Sequence, residues 1–326
     1  MSGTLPAGGR GRENGGPARE PGWWGTERVS VRYGHRLALD QVTFRVRPGQ
    51  VSAVVGGDGA GRTTLLRCLS GALAPSSGAV RRPPQQDIGY LPAGSGTYPD
   101  LTVAENLAFR AAAYQLPAAA AAERTAAFLA RAGLVTARDR LAGQLSGGMR
   151  QKLGVIAAML TSPALLVLDE PTTGVDPVSR ADLWSLIARA AADGAAVVVA
   201  TSYLDEAERA AHVLVLDAGS QLAVGTPDQI VAAMPGRLRV SDTPPPDRDR
   251  PRAWRRAGRW RVWEPDVAAA ERAADGQPAG GQPAAGRLVQ PDLQDAVTVA
   301  ILGRELAAAG AGVLAGAPGR AEAGER

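Results

Sequence analysis

The sequence predicts an α/β protein with a covered central sheet, an inserted helical subdomain and an antiparallel edge. Three observations carry that expectation. ALLVLDEP and GAAVVVATS are near-continuous apolar runs, as central strands buried on both faces require. VSAVVG is a short apolar strand that runs straight into the glycine-rich GGDGAGRT and then into a helical pattern. Residues 103–132 are alanine-rich and helical in period, with a break at Pro117.

The remaining elements follow in chain order. The first 26 residues are rich in Gly, Pro and Arg and lack an apolar core, which reads as a disordered tail rather than a signal peptide. From residue 27 to 235 the pattern is that of one domain, with the helical subdomain at about 95–160. VTFRVRPG alternates as a half-buried strand does, and DIGYLP is another short strand. HVLVLDAGSQLAVG reads as a two-strand hairpin at the sheet edge. Residues 236–326 form a C-terminal accessory region. In it, RWRVW alternates as a strand with Trp260 and Val262 on one face. GQPAGGQPAAG is a low-complexity linker, and VQPDLQDAVTVAILGRELAAAG returns to helical periodicity.

Composition narrows the class. The chain has 326 residues, enough for one large domain with a smaller one attached. Lys152 is its only lysine, so a Lys-to-Arg exchange is unsurprising in so arginine-biased a sequence. Cys68 is the one cysteine, which excludes an internal disulfide framework and fits a reducing compartment. No apolar stretch approaches the roughly 20 residues that cross a bilayer, so any membrane role is expected to run through a partner.

The glycine loop spans Gly56, Gly57, Asp58, Gly59, Ala60, Gly61, Arg62, Thr63 and Thr64. It fits the phosphate-loop pattern at every position except the lysine, where Arg62 stands. Glycines let backbone N–H groups curl around phosphate oxygens, and the following helix aims its positive end at them. Thr63 is the candidate magnesium ligand and Thr64 a phosphate contact. ALLVLDEP ends in two carboxylates. Asp169 is placed to hold Mg2+ through water, and Glu170 to polarise an attacking water.

Between these motifs stands LSGGMRQKL, and the three together resemble the nucleotide-binding subunit of ABC transporters, a P-loop NTPase fold. The resemblance covers about residues 27–235 and implies ATP and Mg2+ as cofactors. It implies an adenine-stacking role for Tyr33 and a place for Asp176 in the loop that crosses between two subunits. It also implies that Ser146, Gly147 and Gly148 serve the ATP bound by a partner subunit. A second nucleotide-binding subunit and a separate transmembrane permease are the implied partners, with the chain cytoplasmic and peripheral on the inner face of the membrane. The C-terminal segment resembles that of drug- and antibiotic-export ATPases.

Three positions depart from that family pattern. Arg62 replaces the lysine, Ala93 stands where a glutamine usually contacts Mg2+ and water, and Ser202 replaces a histidine that contacts the γ-phosphate. All three belong to one site. Loss of one electrostatic stabiliser typically costs roughly 10²–10³ in rate. The expectation is ATP binding with weak hydrolysis at this chain's own loop. A stronger site would combine the partner's loop with this chain's signature. The alternatives are a regulatory pseudo-ATPase and a soluble ATPase of the same type acting on nucleic acid. The Arg- and Trp-rich tail invites the last of these, but a small accessory domain is the preferred reading and no nucleic acid is expected.

Overall fold

The computed structural model describes residues 22–265 and 286–315, with side chains described as far as 309. Within the first body the elements are β1 (Trp24–Tyr33), β2 (Arg36–Val46), β3 (Val51–Val55), α1 (Arg62–Leu69), β4 (Ser77–Arg81) and β5 (Ile88–Leu91). There follow α2 (Val103–Ala113), α3 (Ala118–Ala132), α4 (Gly147–Met159), β6 (Leu165–Asp169) and α5 (Pro177–Ala192). The body closes with β7 (Ala196–Thr201), α6 (Leu204–Ala207), β8 (His212–Asp217), β9 (Ser220–Gly225) and α7 (Pro227–Ala232). The C-terminal region adds β10 (Arg237–Ser241), β11 (Ala253–Arg256), β12 (Arg259–Glu264), β13 (Arg287–Val289) and α8 (Leu293–Ala315).

The first body is built on a nine-stranded sheet of order β4-β1-β2-β9-β8-β3-β7-β6-β5. The segment β8-β3-β7-β6-β5 is parallel. Its central strands carry no polar alternation because helices cover both faces: β6 and β7 are buried at every residue. The β8–β9 hairpin forms as expected, but not at the edge. β9 pairs with β2 through Asp40 and Ser220, and Gln221 accepts from the Thr43 amide at 3.2 Å. That joins the hairpin to an antiparallel β1-β2-β4 layer, whose outer strand β4 is the true edge. β4, SGAVR, is almost wholly exposed, so no apolar alternation marked it in the sequence.

One boundary also differs. Residues 1–21 of the expected tail lie outside the described residues. β1 begins at Trp24, inside the stretch assigned to the tail. The Trp23 ring lies between the Arg45 and Arg81 guanidiniums, at 4.7 and 4.9 Å, which fixes the chain's entry into β1. The low-complexity linker lies outside the described residues except for Gly286.

The expected helical segment contains α2, α3 and α4. α2 starts in a reciprocal capping box between Thr102 and Glu105. Pro117 separates it from α3, which ends on Gly133 in a left-handed conformation at φ +66°. Cys68 is a buried core residue of α1, and burial pushes its thiol pKa up to about 11. No helix of the described residues is long and apolar enough to cross a membrane.

The C-terminal strands form a second, antiparallel sheet of order β11-β12-β10-β13. β12 contains the alternating RWRVW. Trp263, on the face opposite Trp260 and Val262, is buried and donates from Nε1 to the Pro235 carbonyl at 2.8 Å. α8 joins the two bodies. Leu293, Ala296 and Val297 share a core cluster with Val55, Val213 and Ile230 of the first body.

Candidate nucleotide-binding site

The glycine loop hangs between the end of β3 and the start of α1, so the sheet fixes one side of it and the helix the other. Gly59 and Gly61 take φ +77° and +104°, conformations that side chains other than glycine rarely adopt. Gly61 is the N-cap of α1 and is not side-chain capped, leaving the helix's first amides open toward the loop. The β8–β9 turn braces the loop: the Gly219 amide donates to the Ala60 carbonyl at 2.9 Å, and the Asp40 amide donates to Gly219 at 2.9 Å.

A cavity of about 440 Å³ lies over this loop, lined by Tyr33, Arg36, Asp58, Arg62, Thr63 and Thr64 among others. Tyr33 is half exposed, leaving a ring face for a planar group. Arg36, at the start of β2, went unmarked in the sequence. Nothing about its local pattern distinguishes it from the many other arginines; only the fold carries it to the cavity.

At the end of β6 the two carboxylates have different environments. Asp169 is buried at 1% exposure, and its Oδ2 has no hydrogen-bond partner among the described residues. Burial raises its pKa; the Thr63 hydroxyl opposes that shift, the Glu170 charge adds to it, and Arg62 and Arg67 oppose it. A buried, underbonded carboxylate beside a threonine hydroxyl is a hard-oxygen pair that suits Mg2+ held partly by phosphate oxygens. Glu170 sits in the left-handed region at φ +51°, strained backbone for a non-glycine residue. Its Oε1 is 2.6 Å from Arg62 Nη1, while its Oε2 accepts from Thr173 at 2.7 Å and from Ser202 at 3.4 Å. Arg62 and Glu170 are only 11% and 19% exposed, so solvent screens this ion pair poorly.

Two of the departing positions, Arg62 and Ser202, thus converge on one carboxylate. Ala93, in the exposed stretch after β5, is held by none of these bonds. The signature residues form a second group. Ser146 caps α4 by accepting from the Met149 amide at 3.3 Å. A Cβ on Gly148 would meet Ser179 at 3.2 Å, and one on Gly147 the Gly174 carbonyl at 3.6 Å. Asp176 caps α5, accepting from the Val178 and Ser179 amides, and these bonds hold its carboxyl below the usual range. Gly147 and Gly148 therefore lie against the Gly174–Ser179 segment that Asp176 caps.

The buried charge at Asp169 has a stability consequence. A raised carboxyl pKa means that ionisation costs folding stability as pH rises through it. Asp169→Asn is expected to raise the thermal midpoint at neutral pH. The gain should shrink as pH falls into the range where Asp169 is itself protonated. Thermal melts of both proteins across pH, without nucleotide, check this.

The brace can be tested as well. Arg304 of α8 donates from Nη1 to the Asp217 carbonyl at 3.1 Å and pairs through Nη2 with its carboxylate, at the start of the turn that holds Ala60. Arg304→Ala is expected to cost about 1 kcal/mol, a lower midpoint by roughly 2–4 °C, and to weaken ATP binding with it. Melting curves and an ATP titration read both.

A parallel sheet feeding a glycine loop at a helix start, with a buried carboxylate at the end of a neighbouring strand, defines a P-loop nucleotide-binding domain. Comparison with known proteins agrees. Residues 39–173 match the family model described as ABC transporter. Over 217 residues the chain is 40% identical to the "Probable multidrug ABC transporter ATP-binding protein YbhF" of Escherichia coli, covering 64% of this chain and 38% of that protein. The chain thus spans well under half the length of that relative. It is 35% identical over 218 residues to the "Nod factor export ATP-binding protein I" of Burkholderia pseudomallei, covering 64% of this chain and 72% of that one. A solved ATP binding subunit of an ABC transporter matches with a TM-score of 0.60 and 29% identity, over 65% of this chain and 92% of the other. The MJ0796 cassette, solved as a dimer with ADP and Pi, shares the fold at TM-score 0.57 and 21% identity, over 62% of this chain and 98% of the other. The chain belongs to the ABC transporter ATP-binding family.

Proposed function

We propose that this chain is the ATP-binding subunit of an ABC exporter and that its own loop binds ATP with Mg2+ but hydrolyses it slowly. The observation that carries the second half is the 2.6 Å pair between Arg62 and Glu170. The candidate base is neutralised by the residue that stands in the lysine position. The loop amides, Thr63 and Thr64 would hold the phosphates, Asp169 the Mg2+, and Tyr33 the adenine. Mg2+, when bound, would supply neutralisation of phosphate charge. Glu170 would orient water only after Arg62 turns from it toward phosphate.

The intact Ser146, Gly147, Gly148 and Asp176 favour pairing with a second nucleotide-binding subunit whose loop keeps the lysine. Closure of that pair would move a separate membrane permease, which places the chain in the cytoplasm against the inner face of the membrane. The exporter assignment rests on the export functions named for its relatives.

The test is ATP binding and turnover measured on one purified sample with Mg2+. Binding near a micromolar Kd with turnover far below the roughly 10 s⁻¹ typical of enzymes is expected. Rapid turnover by the chain alone would overturn the impaired-site reading. Absence of binding would overturn the ATP-binding reading itself.

A further inference from the structure

The C-terminal sheet carries a second, open cavity of about 810 Å³. Arg256, Arg259, Arg261 and Arg287 line it, together with Asp242 and Thr243. These arginines come from the PRAWRRAGRWRVW stretch and from β13, sequence that the nucleotide site does not use. Strand register gathers them. Arg256 pairs with Arg259 across β11–β12, and Arg261 and Arg287 both oppose Val240 of β10, so all four share one face of the sheet.

Two of the four are held in place by carboxylates. Arg256 reaches the Asp292 carboxylate at 2.7–2.8 Å and Asp295 at 3.3 Å, and Arg261 pairs with Asp295, which is fully buried. Every one of these bonds uses Nη1. A guanidinium has five N–H donors in a fixed fork, so the remaining nitrogens of Arg256 and Arg261 are not taken up by Asp292 and Asp295. The side chains are 27% and 19% exposed, enough to present those donors. Arg259 has only the exposed Asp242 at 3.0 Å, and Arg287 has no carboxylate within 4 Å among the described residues. Among the described residues these four guanidiniums meet three carboxylates, two of which are shared by Arg256 and Arg261.

We infer that this cavity is a second ligand site that binds a phosphate-bearing anion, free or as a lipid headgroup. Arginines held by carboxylates, as Arg256 and Arg261 are, lose little freedom on binding, and their planar forks match phosphate oxygens in pairs. The inference is independent of the glycine loop.

Calorimetric titration of the full chain with pyrophosphate tests it, in three proteins. The native chain should bind two equivalents, one at each site. Gly61→Val, which closes the glycine loop, should retain the C-terminal equivalent. Arg259→Gln combined with Arg287→Gln should weaken that equivalent by about tenfold or more while leaving ATP binding unchanged. These two side chains are exposed and carry no core packing, so the variant should fold as the native chain does. Flotation with phosphatidylcholine vesicles, with and without phosphatidic acid, separates the sources. Capture that requires phosphatidic acid, and is lost in the double variant, with no second pyrophosphate equivalent, identifies a lipid headgroup. A second pyrophosphate equivalent identifies a free anion. If no second equivalent and no Arg-dependent capture appear, or if either survives the double variant unchanged, the site does not exist. A native chain that binds one equivalent, lost only with Gly61→Val, and that shows no phosphatidic-acid-dependent capture overturns this inference and leaves the nucleotide reading standing.

Discussion

Restoring lysine and histidine together, as Arg62→Lys with Ser202→His, is expected to raise ATP turnover by about 10²-fold over the native chain. In the native arrangement the guanidinium sits 2.6 Å from Glu170 Oε1, inside a pocket that excludes most solvent. A carboxylate so paired is turned toward the guanidinium rather than toward a water, and a guanidinium so paired is withheld from phosphate. Lysine is a compact point charge on a flexible stem, whereas the guanidinium is a planar fork that pairs with a carboxylate, so the exchange is not a neutral one. Ser202 touches Glu170 at 3.4 Å, but its hydroxyl cannot also reach a phosphate as an imidazole can. Removal of a single such stabiliser costs roughly 10²–10³, and members of one catalytic unit do not add independently. Each single reversion is therefore expected to recover less than its share, and the pair more than their product. Steady-state rates of the four proteins, with ATP affinity measured alongside, form the cycle. Additive recoveries would mean that Arg62 and Ser202 act separately, and no recovery would place the defect elsewhere, with Ala93 the next candidate.

That coupling shows where sequence reasoning reaches its limit. In the sequence, a phosphate-loop pattern singled out Arg62, a strand-end carboxylate pair singled out Glu170, and the family resemblance alone singled out Ser202. The ion pair between the first two was not legible, since it depends on the register of β3, β6 and β7 and on the length of an arginine side chain. The same division holds for the fold. β6 and β7 announced themselves as unbroken apolar runs, whereas β4 is exposed at nearly every position and left no period to read. The β8–β9 hairpin was visible, but its neighbours were not, because one bridge from Asp40 to Ser220 decides whether it ends the sheet or continues it. Arg36 joins the nucleotide cavity only through β2, and in a chain with this many arginines nothing local singles it out. The C-terminal arginines were conspicuous as a composition, yet their convergence on one sheet face needed the pairing register.

The glycine loop tolerates far less than the residues around it, and Gly61→Val is expected to abolish ATP binding. At Gly61 the backbone has φ +104°, which a β-branched residue adopts only at a cost of about 1–3 kcal/mol. Space is lacking as well. A Cβ there would lie 2.7 Å from Leu39 Cδ2 and 2.8 Å from the Ala38 carbonyl, both on β2. Leu39 is fully buried and the carbonyl is fixed in the sheet, so the loop must move rather than its neighbours. Movement would break the Gly219–Ala60 brace and turn the first amides of α1 away from the phosphate position. The sheet itself does not depend on this loop: β3, β7 and β6 stay paired through registers that end before it. Fluorescent-nucleotide titration should therefore show loss of binding by at least two orders of magnitude. Far-ultraviolet circular dichroism should remain native, and the midpoint should fall by only a few degrees. Retained ATP binding would mean that the phosphates lie elsewhere than on these amides. That result would remove the basis for assigning Arg62, Thr63 and Thr64 to them.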